Sequence, residues 1–158
     1  MYTREQLFLT EPIVMPGVIP QQSRELLESA LEGLSQAQQM EDKDIAFATA
    51  HRCALRVAAA VIAASTTVQP AHYASATARR RRSRPQNAWV LLSRHCPNLR
   101  EWADFFAANA SLRAAAEAGR GHVSSRMADD MVREVLAFMA DAVAAITSML
   151  PQPIARAG

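Results

Sequence analysis

Residues 42–66 read DKDIAFATAHRCALRVAAAVIAAST, and this stretch decides the fold. Asp42 is a helix-capping residue type, and the next two dozen residues hold neither Gly nor Pro. Phe47, Ala50, Ala54, Ala58 and Val61 line one side of the helix this predicts, and Ile45, Leu55 and Ile62 line another. A helix that is apolar nearly all round is buried among other helices rather than laid on a surface. The longest uninterrupted apolar run inside it, Val57 to Ala64, is only eight residues. A spanning helix needs roughly 20 apolar residues, so no membrane span is expected.

The flanking sequence supplies the helices that would cover it. Before it, Leu26, Leu27, Ala30, Leu31 and Leu34 form a one-sided stripe on a helix from Ser23, a plausible cap, to about Gln39. After it, Pro85 opens a short helix to His95 bearing Ala88, Trp89, Leu91 and Leu92. Pro97 opens another, with Leu99, Trp102, Phe105, Phe106, Leu112 and Ala116 inward and Gly119 or Gly121 as its stop. Ser124 or Ser125 caps a last long helix whose stripe runs from Met127 through Met131, Val135, Phe138 and Met139 to Ile146, before Pro151. No stretch alternates with period two. The expected fold is therefore all-α, an antiparallel up-and-down bundle of four main helices plus one short one. The bundle domain spans residues 22–150. It is preceded by an apolar, Pro-containing arm (1–21), interrupted by a loop (67–84) and followed by a tail (151–158). The arm is too apolar for a disordered tail and is expected to pack on its own chain or on a second copy.

Composition bounds the function loosely. The 158 residues carry 17 basic and 15 acidic side chains, a formal net charge of +2. Arg79, Arg80, Arg81, Arg82 and Arg84 lie within six residues; removing them leaves 12 basic against 15 acidic residues. The chain is thus locally, not globally, basic. Arginine forks match phosphate oxygens, so this run is a candidate RNA or polyanion contact. A solvated loop in an Arg-rich protein accounts for it equally well. Cys53 and Cys96 are too few for a disulfide framework and lack metal or redox spacing. Glu5 and Glu11 break any secretory signal, and a cytoplasmic location is expected. No nucleotide loop, nucleophile elbow or Glu-x-x-His ligand pair occurs, so neither cofactor nor metal is expected.

The informative polar residues are His51, Arg52 and Arg56, set into the apolar helix. A buried guanidinium stays charged and needs a partner. Glu28, Glu32, Asp104, Asp129, Asp130 and Glu134 are the candidates, which would make the trio a buried ion-pair cluster. The competing reading is an anion pocket in which the three converge on a phosphate. Cys53, on the same helix, is expected to be buried and inert.

The segment Ala50-His51-Arg52-Cys53-Ala54-Leu55-Arg56-Val57-Ala58-Ala59-Ala60 resembles a central helix of HEPN domains. The stretches Arg84 to Leu92 and Leu99 to Phe106 resemble an uncharacterised actinobacterial branch of that group. The resemblance covers about residues 23–148 and implies an up-and-down bundle that dimerises. Many relatives are ribonucleases, toxins or nucleotidyltransferase partners, with an Arg followed by a His after four to six residues. The windows ahead of His51 (Asp44, Ile45, Ala46), His72 (Ser65, Thr66, Thr67), His95 (Ala88, Trp89, Val90) and His122 (Ala115, Ala116, Glu117) contain no Arg. No catalytic residue is carried over. The sequence thus points to a non-catalytic, homodimeric HEPN-like binding protein whose partner is RNA, another polyanion or a protein. A divergent ribonuclease using His51 is the lesser alternative.

Overall fold

Asp42 opens the central helix by accepting the Ile45 amide on its Oδ1 at 3.1 Å, satisfying one of the donors that a helix start leaves unpaired. The computed structural model describes residues 19–68 and 87–151. Helix α1 spans Gln21–Gln39 and α2 spans Lys43–Val68. Helix α3 spans Ala88–His95, followed by a single 3-10 turn at Pro97–Leu99. Helices α4 (Arg100–Ala108), α5 (Ala110–Glu117) and α6 (Ser125–Met149) complete the fold. No strand occurs among the described residues. As the all-round apolar pattern requires, α2 is the axis: α1, α3, α5 and α6 all pack against it.

Length and composition alone would let α2 cross a membrane, and 61% of its most apolar window is instead buried inside the bundle. Its own polar insertions mark the side left to solvent. Ile45, assigned from the sequence to an apolar side, is 49% exposed. Met127 at the start of the α6 stripe is 38% exposed, while Met131, Val135, Phe138, Met139 and Ile146 are buried as their spacing requires.

Three local expectations are corrected. Ser23 does not cap α1, which starts two residues earlier after Pro20. The Ser23 side chain is instead wholly buried and donates its hydroxyl to the Ala60 carbonyl of α2 at 2.8 Å. The short third helix is capped by Asn87, whose Oδ1 accepts the Trp89 amide at 3.0 Å. Pro85, expected to open it, lies outside the described residues. The single helix expected from Pro97 is three pieces, a 3-10 turn and two helices parted at Asn109. The remaining stop and start hold. Gly119 (φ 68°) follows α5 in the left-handed region, with the Arg120 and Gly119 amides returning to Ala115 and Ala116, a paired closure suited to glycine. Ser124 caps α6 through the Met127 amide. Ile19 is buried in the core. The rest of the arm, the arginine run and the C-terminal tail lie outside the described residues.

Two close approaches hold the bundle. A Cβ at Gly33 would stand 2.5 Å from the Cys53 sulfur, so only glycine lets α1 lie this near α2. The second is a clamp at the start of α2. The Asp44 carboxylate accepts the Gly121 amide at 2.9 Å and the Val123 amide at 2.8 Å, tying the α5–α6 connection to the start of α2. A Cβ at Gly121 would meet Ala116 at 2.9 Å.

Gly33→Ala is expected to lower stability by about 1–3 kcal/mol, the usual cost of overpacking. Chemical denaturation should show part of that loss recovered in Gly33→Ala/Cys53→Ala, which removes the obstructing sulfur. Amide donation, chiefly from Val123, holds the Asp44 carboxyl below its ordinary 3.8. Its contribution is therefore present above pH about 4 and lost as the pH falls further. Asp44→Asn should be less stable at neutral pH and show a flatter acid limb in denaturation midpoints.

Candidate functional site

The trio singled out in α2 divides along the helix surface. Successive helical positions are turned by about 100°, so His51 and Arg52, though adjacent in sequence, look out from different sides of α2. His51 is 1% exposed, whereas Arg52 and Arg56 point to solvent. The expected buried cluster is thus one buried histidine and two exposed arginines, and the three do not converge on a common point. Arg52 reaches the Glu117 carboxylate of α5 at 3.9 Å with its side chain 52% exposed, and none of the six acidic residues proposed from the sequence is its partner. Arg56 directs Nη1 to the Cys53 sulfur at 3.8 Å. Cys53 is fully buried, packed in the core, and burial pushes its thiol above the ordinary range.

His51 is held from three sides. Its ring meets Trp89 and Phe106 edge to face, with centroids 5.9 and 5.8 Å away. Trp89 and Phe106 are stacked on each other at 5.2 Å, and Phe138 closes the group 5.2 Å from Phe106. Its polar contact among the described residues is from Nε2 to the Phe106 carbonyl at 2.9 Å. A carbonyl only accepts, so Nε2 carries the proton and Nδ1 is the bare nitrogen. Burial, more than any other influence, pushes the ring's pKa below the ordinary 6.5, and the Arg113 charge acts the same way. His51 is therefore neutral at physiological pH.

Beyond the buried ring lies a small polar group that the sequence did not disclose. Arg113 of α5 pairs with Glu117 one turn on, at 3.0 Å, and Arg52 approaches the same oxygen. The i, i+4 spacing of Arg113 and Glu117 was legible, but their place beside His51 depends on the break at Asn109. A second histidine, His95, has Nδ1 3.0 Å from the Ser65 hydroxyl, joining α3 to the end of α2. No group of His, Cys, Asp and Glu fit to hold a metal occurs among the described residues. Arg79, Arg80, Arg81, Arg82 and Arg84 lie outside the described residues, in the segment that joins Val68 of α2 to Asn87, the cap of α3.

A comparison with family models matches residues 37–143, more than half of the chain, to the family described as HEPN_SAV_6107-like HEPN. No curated protein and no solved structure matches the chain.

His51→Leu strips the buried Phe106 carbonyl of its donor and should cost about 1–3 kcal/mol. Because folding lowers the His51 pKa, the unfolded chain takes up the proton first as pH falls. Stability is full above pH about 6.5 and declines below it. His95, also lowered by burial, adds to the same decline. Denaturation midpoints between pH 8 and 5 should therefore flatten in part, not wholly, in His51→Leu.

Proposed function

The chain belongs to the HEPN_SAV_6107-like HEPN family, and on that footing we propose that it is a non-catalytic binding protein. Its partner is RNA or a related polyanion, taken through Arg79, Arg80, Arg81, Arg82 and Arg84. The observation that carries the non-catalytic half is the burial of His51. A general base must come within about 3 Å of the proton it takes, directly or through one water. A ring sealed by Trp89 and Phe106, with Nε2 spent on a backbone carbonyl, offers a substrate no such approach. Arg52 and Arg56 are exposed whereas His51 is buried, so the divergent-ribonuclease reading loses the pairing on which it depends. The binding half rests on the sequence. Five arginines in six residues concentrate charge in a chain that is otherwise mildly acidic, and clustered cations release counterions from a nucleic-acid backbone.

The protein acts in this reading as a cytoplasmic homodimer, with no cofactor and no membrane. A protein partner is the second reading, favoured by three large apolar side chains left at the surface: Val90 at 53% exposure, Ile45 at 49% and Met127 at 38%.

Fluorescence anisotropy with single-stranded RNA at several salt concentrations separates the two. Five arginines meeting phosphates give a slope of log affinity on log salt approaching about −3.5, at roughly −0.7 per contact. A variant with Ala at all five positions should lose both the binding and the slope, and a broad RNA panel should stay uncleaved. Absence of binding at low salt would overturn the polyanion reading in favour of a protein partner. Cleavage that His51→Ala abolishes would overturn the non-catalytic one.

A further inference from the structure

Arg52 and Arg56 stand one turn apart on α2, share a face and are both exposed. Each lies at a seam with a neighbouring helix. Arg52 reaches Glu117 of α5 at 3.9 Å. A Cβ at Gly33 of α1 would stand 3.0 Å from Arg56 Nη1, so the missing side chain of Gly33 leaves room for that guanidinium. The strip of α2 that carries both arginines is thus bordered by α1 on one side and α5 on the other. Ser29 and Gln36, four before and three after Gly33 on the same face of α1, are exposed and uncharged. Positive charge is in excess here. Glu117 is already bonded to Arg113 at 3.0 Å, and Arg52 approaches the same oxygen from further away. Arg56 makes no ion pair among the described residues. Its hydrogen bond to the Cys53 sulfur engages a weak acceptor and one of the five N–H groups of the fork.

We propose that this strip is a second contact for the polyanion, in which Arg52 and Arg56 take neighbouring phosphates of a single RNA strand laid along α2 between α1 and α5. The strip deepens the polyanion reading above and rests on it. One helical turn sets the two side chains about 6 Å apart along the axis, the order of the step between phosphates of a stretched strand. Each phosphate offers a guanidinium fork two oxygens at once. A fork already seated against α1 also loses less freedom on binding than a free one. A protein partner suits the strip less well. Interfaces between proteins are centred on buried aromatic or aliphatic anchors, and no large exposed apolar side chain lies within one turn of either arginine on α2. The loop arginines are tethered to the same stretch. The segment that holds them leaves α2 at Val68, about three turns beyond Arg56. It ends at Asn87, the cap of α3, two residues before Trp89, whose ring meets His51 beside Arg52. Its two ends are therefore fixed on either side of the arginine pair along the axis of α2, within reach of one strand.

The test is fluorescence anisotropy of the full chain with a labelled oligouridylate across a salt series. It compares the wild type with Arg52→Gln/Arg56→Gln and with Arg52→Lys/Arg56→Lys, and circular dichroism checks that each variant keeps its helical content. Glutamine suits an exposed helix position. The glutamine pair should bind more weakly, most of all at low salt. Its slope of log affinity on log salt should be shallower by about 1.4, two contacts at roughly 0.7 each. The lysine pair keeps the charge and loses the fork, so its slope should match the wild type. A wild-type slope in the glutamine pair, with binding that still depends on the five loop arginines, would overturn the strip and leave the polyanion reading standing. Absence of RNA binding by the wild type at low salt would overturn both. Binding of polyglutamate, and not of RNA, that the glutamine pair loses would assign the strip to an acidic protein partner and overturn the proposal.

Discussion

A single hydrogen bond, from His51 Nε2 to the Phe106 carbonyl, sets the terms for the centre of this molecule. It joins the middle of α2 to the end of α4 through two residues 55 positions apart in the chain, in the buried interior of the bundle. Because the carbonyl can only accept, the bond dictates the tautomer. Burial of the ring favours its neutral form. The stacked Trp89 and Phe106 rings and the tilted Phe138 fill the space the imidazole leaves. Phe106 lies three residues before Asn109, where α4 gives way to α5, so the anchor stands beside the turn that brings Arg113 and Glu117 toward α2.

The same arrangement explains the division of labour along α2. A helix crowded by four others must place small side chains wherever a neighbour lies close, and Ala46, Ala50, Cys53, Ala54, Ala58 and Ala60 are all buried. Its two arginines then fall on a strip left open. Arg52 and Arg56 are thus surface residues set in an apolar helix, and only the histidine is carried inside. The chemistry that histidine and arginine side chains suggest when read side by side is undone by a rotation of about 100° per residue.

How much of this was legible in the sequence follows from the range of the forces involved. The central role of α2, the cap at Asp42, the stop at Gly119 and the cap at Ser124 are local, written in periodicity and in residue types with particular backbone needs. What escaped was decided by tertiary contacts. Ser23 has the chemistry of a cap, yet its hydroxyl is taken by Ala60 of the neighbouring helix. The break at Asn109 lies in a stretch with good helix formers on either side, and nothing in its spacing announces it. The sequence offers six acidic residues as partners for Arg52, and the structure pairs it with a seventh, Glu117 of α5. The burial of His51 beside two exposed arginines needed the rotational setting of α2 against α3 and α4, which no single-helix pattern contains.

The central claim is that His51 is an interior, neutral, structural residue rather than a reactive one. Carbethoxylation of the native protein with diethyl pyrocarbonate, read by peptide mass spectrometry, tests it most directly, with His122, which is exposed, as the internal positive control. His51 should remain unmodified while His122 reacts, and should become reactive once the chain is unfolded. Modification of His51 in the native protein at a rate comparable to His122 would contradict the account.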